Sequence, residues 1–206
     1  MLRGLLLLAS MLGLLTAGAL TLVETRETGQ DLRALLPLGS VEALNSELDR
    51  GIDDFDAATR NADRLLRISS LRRIEDLCRK ILAQRPANSE TWALLADIEL
   101  KKGGSIEQAL KFYELSHLTG RLEWPAIRRR TIFAVPVWAE LGDTGRSIAE
   151  GDIRKLLAGA AKHRAIAFLA ELEKASPHSP GAAAVRQSVA SVAPDWLKEF
   201  DWQVRK

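Results

Sequence analysis

Cysteine is almost missing from this chain, with one residue, Cys78, in 206. A lone thiol excludes an intramolecular disulfide and any cage of thiolates around a metal, and it reads as a small buried apolar residue. Histidine is scarce too. His117, His163 and His178 fall at no spacing that pairs them with each other or with Cys78 as metal ligands. An excess of either charge is also lacking, since 29 Lys and Arg face 27 Asp and Glu. That balance excludes the broad basic field that draws a protein onto nucleic acid. No phosphate loop, dinucleotide fingerprint or G-x-S-x-G turn occurs. No cofactor, metal or small-molecule substrate is therefore expected, and the chain reads as a non-enzyme. Period-two alternation is missing as well, so the expected fold class is all-α.

Polar clusters that imitate a site have simpler readings. Asp53 with Asp54 and Glu171 with Glu173 occupy adjacent or alternate helical positions, which do not face one another. Lys162-His163-Arg164 reads as a polar turn, and Arg128-Arg129-Arg130 as a solvated face whose members point in different directions.

What the sequence does have is an uncharged apolar run of twenty residues that begins at Gly4 and closes at Val23. As a helix it spans about 30 Å, the thickness of a bilayer core. Arg3 lies on its short side, and Arg26 on the far side is offset by Glu24 and Glu27, a bias that places the C-terminal part outside the cytoplasm. The expectation is a signal anchor over residues 1–25 in the cytoplasmic membrane, a linker over 26–40 with Gly29, Pro37 and Gly39, and a periplasmic helical domain over 41–206. Ala17-Gly18-Ala19 supplies the alternative, a signal peptide cleaved after Ala19.

The domain divides by helical spacing and by its breakers. Leu44, Leu48 and Ile52 mark an acidic helix over residues 41–67, and Leu71, Ile74, Leu77, Cys78, Ile81 and Leu82 mark a second over 69–85 that Pro86 stops. Asn88 or Ser89 caps a helix over 90–102, with Glu90 in its first turn; Gly103-Gly104 ends it, and Ser105 opens another that reaches Leu118. Trp124-Pro125 starts a helix with Ile127, Ile132, Ala134, Val135 and Trp138 on a wide apolar face that Pro136 interrupts. A turn is expected over 142–145, then helices over 147–161, 163–174 and 182–192, and a short aromatic helix with Trp196, Phe200 and Trp202 that caps the open end or binds a partner.

Residues 89–120 resemble the tetratricopeptide repeat family. Trp92, Leu95 and Ala96 are similar to the large, large, small set of its first helix, and Ala109, Tyr113 and Ser116 to the small, aromatic, small set of its second. Pro86 matches the proline that closes a preceding, partial repeat. Glu99 and the paired Gly103 and Gly104 depart from the consensus. The resemblance implies stacked helical hairpins, a short α-solenoid, whose first helices line a concave protein-docking face. On that alignment the face would hold Glu90, Ala93, Asp97 and Lys101. Residues 115–141 also resemble small membrane-anchored repeat proteins that accompany polysaccharide synthesis and export. The implied function is a membrane-anchored scaffold with protein partners of the envelope. A general periplasmic assembly or quality-control factor is the alternative, followed by an unrecognised envelope enzyme.

Overall fold

The computed structural model describes residues 40–159 and 161–206. The anchor expected over residues 1–25, with its ends at Gly4 and Val23, and all but the last residue of the linker lie outside the described residues. No helix among the described residues is long and apolar enough to cross a membrane.

All regular structure among the described residues is helical. In chain order it comprises α1 (Val41–Arg60), α2 (Arg64–Gln84), α3 (Ser89–Lys101), α4 (Ile106–Thr119), α5 (Trp124–Ala134), α6 (Gly142–Ala158), α7 (Lys162–Ala175), α8 (Pro180–Val192), a 3₁₀ turn (Pro194–Trp196) and α9 (Leu197–Arg205). Side-chain caps set several of the starts: Asn88, Ser105 and Ser179 accept from the backbone N–H of Thr91, Gln108 and Ala182 at 3.0, 3.3 and 3.0 Å. Pro180 stands at the first position of α8, where its missing N–H has no helical partner to lose.

Consecutive helices pair as hairpins, α3 with α4, α5 with α6 and α7 with α8, while α2 and α5 both pack on α3 and α8 packs on α6. The six α2 positions named from spacing, Leu71 to Leu82, are all buried, as are Leu44 and Leu48 of α1. Gly51 lets α1 approach α2 closely, since even a methyl group there would sit 3.2 Å from Ile74 Cγ1. At the C-terminus α9 packs against α7; Phe200 is fully buried, Trp196 is packed on the core and Trp202 is half exposed. Arg186 fastens that end, pairing with Glu173 at 2.6 Å and Asp201 at 2.5 Å while lying over the Phe200 ring.

Three expectations are corrected. The helix read over 41–67 breaks at Asn61–Ala62–Asp63, where Ala62 takes φ +54° and Asp63 caps α2 by accepting from Leu66 N at 2.9 Å. The turn expected over 142–145 is instead the first turn of α6. Tertiary bonds hold it: Arg146 donates to the carbonyls of Trp138 and Ala139 at 3.2 and 3.0 Å, and the Tyr113 hydroxyl donates to Gly145 O at 3.3 Å. The third concerns the arginines, which do not form a solvated face. Arg128 lies over the Phe168 ring, Arg129 is half-buried against Glu90, and Arg130 has no exposed surface at all.

Arg130 meets Asp152 through Nε to Oδ2 at 2.6 Å and Nη2 to Oδ1 at 3.2 Å, both side chains fully buried. Its Nη1 donates to Ser116 O, Ser116 Oγ and Gly120 O, each at 3.1 Å. Ser116 Oγ in turn donates to Ser89 O at 2.7 Å, and the Ser89 hydroxyl bonds the Glu123 carboxylate. Lys155 adds a second cation to Asp152 at 3.1 Å and reaches Arg121 O at 2.9 Å. One guanidinium thus ties together α3, α4, the loop after it, α5 and α6.

Replacing Arg130 by Met leaves Asp152 buried with only Lys155, and the expected loss is about 3–5 kcal/mol in urea unfolding. Arg130→Met combined with Asp152→Leu is expected to recover most of that loss, because no uncompensated charge remains. His117, half-buried on α4, is held below its ordinary pKa of 6.5 by burial and then by Arg130. As pH falls below that value the unfolded chain takes the proton first, so stability present at neutral pH is expected to drain away in mild acid. His117→Gln flattens that slope in unfolding midpoints measured across the window. Glu75, held low chiefly by its bond from Lys102, contributes its own loss only below its ordinary 4.5.

Candidate functional site

The four residues read as a concave face lie along one side of α3, at spacings of three, four and four. Lines of the same face are completed by α1 on one side and α5 on the other. Ala93, Asp97 and Lys101 line a cavity of about 200 Å³ with Ile52 and Phe55 of α1, Leu71 and Ile74 of α2, and Arg129 and Ile132 of α5. Glu90 lines a neighbouring cavity of about 230 Å³ that shares Leu94 and Arg129 with the first and adds Asn45 and Asp49. Together they make a groove that follows α3 for about 16 Å, the rise of eleven helical residues.

Small and apolar residues make the floor. Ala93 is fully buried, Leu94 and Ile98 nearly so, and a methyl at position 93 leaves the space that a longer side chain would fill. The rim is charged and partly tied down. Arg129 donates to Glu90 at 2.8 Å, Lys101 to Asp97 at 2.6 Å, and the Lys101 ammonium also lies over the Phe55 ring. Asp49 and Asp56 on α1 form no ion pair among the described residues, which leaves the rim net negative. Such partly exposed pairs are weak and exchangeable, worth about 0–1 kcal/mol each.

The residues matched to the repeat pattern occupy different depths. Leu95, Ala96, Ala109, Tyr113 and Ser116 are buried, and Tyr113 stacks on Phe133 at 5.2 Å between ring centres. Burial pushes the Tyr113 phenol above its ordinary pKa, so it stays neutral. Trp92, read as core, is half-buried at the edge: it stacks on Phe112 at 5.8 Å and its indole N–H donates to Pro86 O at 2.8 Å. Spacing alone missed the contributions of α1 and α5. The signal for Phe55 and Ile132 is an apolar residue at the margin of a helix stripe, which reads the same whether it closes a core or rims a groove.

The titratable groups of the groove are the paired Glu90 with Arg129 and Asp97 with Lys101, together with Asp49 and Asp56. Among the described residues no three His, Cys, Asp or Glu side chains gather as metal ligands. Cys78 is buried on the inner face of α2, its thiol pushed up to about 12 by burial, which leaves it a packing residue at neutral pH. Comparison with protein-family models, characterised proteins and solved structures finds no match for the chain.

Because Trp92 is half-buried, Trp92→Ala is expected to cost about 2 kcal/mol by thermal or urea unfolding, below the ~3–5 of a fully enclosed aromatic. A loss at the upper figure means that the indole is covered in solution.

Proposed function

We propose that the chain is a non-catalytic scaffold of the tetratricopeptide type that presents the α3 groove as a protein-docking surface from the membrane, on its periplasmic side. The observation that carries this reading is the groove itself: an apolar floor, a charged rim and a length of about 16 Å suit a peptide or helix of another protein. Its depth is modest. A segment laid along α3 would pack side chains against Phe55 and Ile132, and would exchange its own charges with the pairs at Glu90 and Asp97.

The distribution of polar groups supports the same reading. Arg130, Asp152 and Ser116 bond one another inside the stack, and the groove holds weak surface pairs instead of a buried, strongly coupled set. On the resemblance carried by residues 115–141, the client is a component of the machinery for envelope polysaccharide synthesis or export.

Photocrosslinking in intact membranes tests this. A photoreactive residue replacing Ile132, which is 39% exposed on the groove wall, is expected to yield a discrete protein adduct, whereas the same residue replacing exposed Glu114 on α4 does not. Asp97→Lys should lower the Ile132 adduct about tenfold while leaving the unfolding midpoint unchanged, the scale of one lost charge-assisted contact. Equal adducts from both positions would remove the groove from consideration.

A further inference from the structure

The tip of the α1–α2 hairpin is built the wrong way round for a protein surface in water. Every residue from 59 to 69 is exposed. Within that stretch stand Leu65, Leu66 and Ile68, at 81%, 46% and 41% exposure. They crowd the first turns of α2, beyond the point where Leu71 and Ile74 begin to bury its inner face. Leu65 and Leu66 point about 100° apart with Ile68 beside Leu65, so the apolar surface wraps around the helix end through an arc of about 160°.

Charge around the tip is mostly positive. Arg60, Arg64 and Arg67 surround the three apolar side chains, and Arg72 stands a turn further along; none of the four is ion-paired among the described residues. Arg64, Arg67 and Arg72 line one cleft together with Ile68. Asp63 is the sole carboxylate between residues 59 and 69, and it is occupied in capping α2 through Leu66 N.

These features select among occupants. A helix packed on a protein partner presents an apolar stripe of about 100° or more, with its charges on the opposite face, whereas here unpaired arginines stand beside the apolar side chains at the same helix end. A bilayer interface surrounds whatever protrudes into it, taking up apolar side chains on all sides while guanidiniums reach back to phosphate. We propose that the α1–α2 tip is an anionic-lipid-binding surface, with Leu65, Leu66 and Ile68 entering the headgroup–acyl boundary and Arg60, Arg64 and Arg67 pairing with lipid phosphates. The groove along α3 shares Leu71 and Lys101 with that cleft, but none of Arg64, Arg67 or Ile68 lines it.

The test uses the full chain in liposomes with an environment-sensitive fluorophore on a cysteine introduced as Leu66→Cys. Buried Cys78, with its raised pKa, does not compete for the label. In vesicles containing phosphatidylglycerol the emission is expected to shift to the blue and to be quenched by nitroxide-bearing lipid. A label at Glu114→Cys stays aqueous. Adding Arg64→Gln and Arg67→Gln should lower the ratio of buried to aqueous label about 25-fold, at roughly fivefold per charge near an anionic surface. Because both arginines are exposed, an unchanged unfolding midpoint accompanies that loss. Three results overturn the proposal: a label that stays aqueous with anionic vesicles, equal burial in phosphatidylcholine alone, or burial without lipid that grows with protein concentration. The last identifies a second copy of the chain as the occupant.

Discussion

A guanidinium with no exposed surface persists where each of its nitrogens meets an acceptor, and Arg130 is placed at such a point. Asp152 takes two of its donors and three oxygens of Ser116 and Gly120 surround a third nitrogen. Those acceptors come from α4, the loop that follows it and α6, and Ser116 passes the constraint on to the start of α3. Apolar contacts alone allow two helices to slide by fractions of a turn at small cost. A bidentate ion pair with fixed backbone acceptors does not, because displacement leaves buried charge without a partner. The register of the α3–α4 hairpin against α5 and α6 therefore hangs on this one side chain.

That register also sets the groove. Arg129, the neighbour of Arg130, reaches Glu90 across the face of α3, and Ile132, two residues after Arg130, forms the facing wall. Locking Arg130 inward turns Arg129 and Ile132 outward by the ordinary rotation of a helix, about 100° per residue. The interior pair and the groove wall are two sides of the same helix. At the α1–α2 tip the logic differs: Leu65 and Leu66 are exposed, and Arg60, Arg64 and Arg67 form no ion pair among the described residues.

Much of the helix pattern was legible because it is local. The caps at Asn88 and Ser105, the stop at Pro86 and the buried stripe from Leu71 to Leu82 follow from spacing and backbone chemistry within one or two turns. The four positions Glu90, Ala93, Asp97 and Lys101 share one face for the same reason. Where distant groups decide, local reading fails. The first turn of α6 receives a bond from Tyr113, 32 residues away, and Trp92 sits at the edge of the core, stacked on Phe112.

The arginine triplet shows the division most plainly. Composition and periodicity determined by themselves that the described chain is helical, where most of its helices begin and end, and which stripes are apolar, since these depend on residues three or four apart. Three adjacent arginines are alike at that range. Only the tertiary structure decided that Arg128 covers an aromatic ring, Arg129 rims the groove and Arg130 is buried against Asp152, because the partners that distinguish them lie 22 to 40 residues away along the chain.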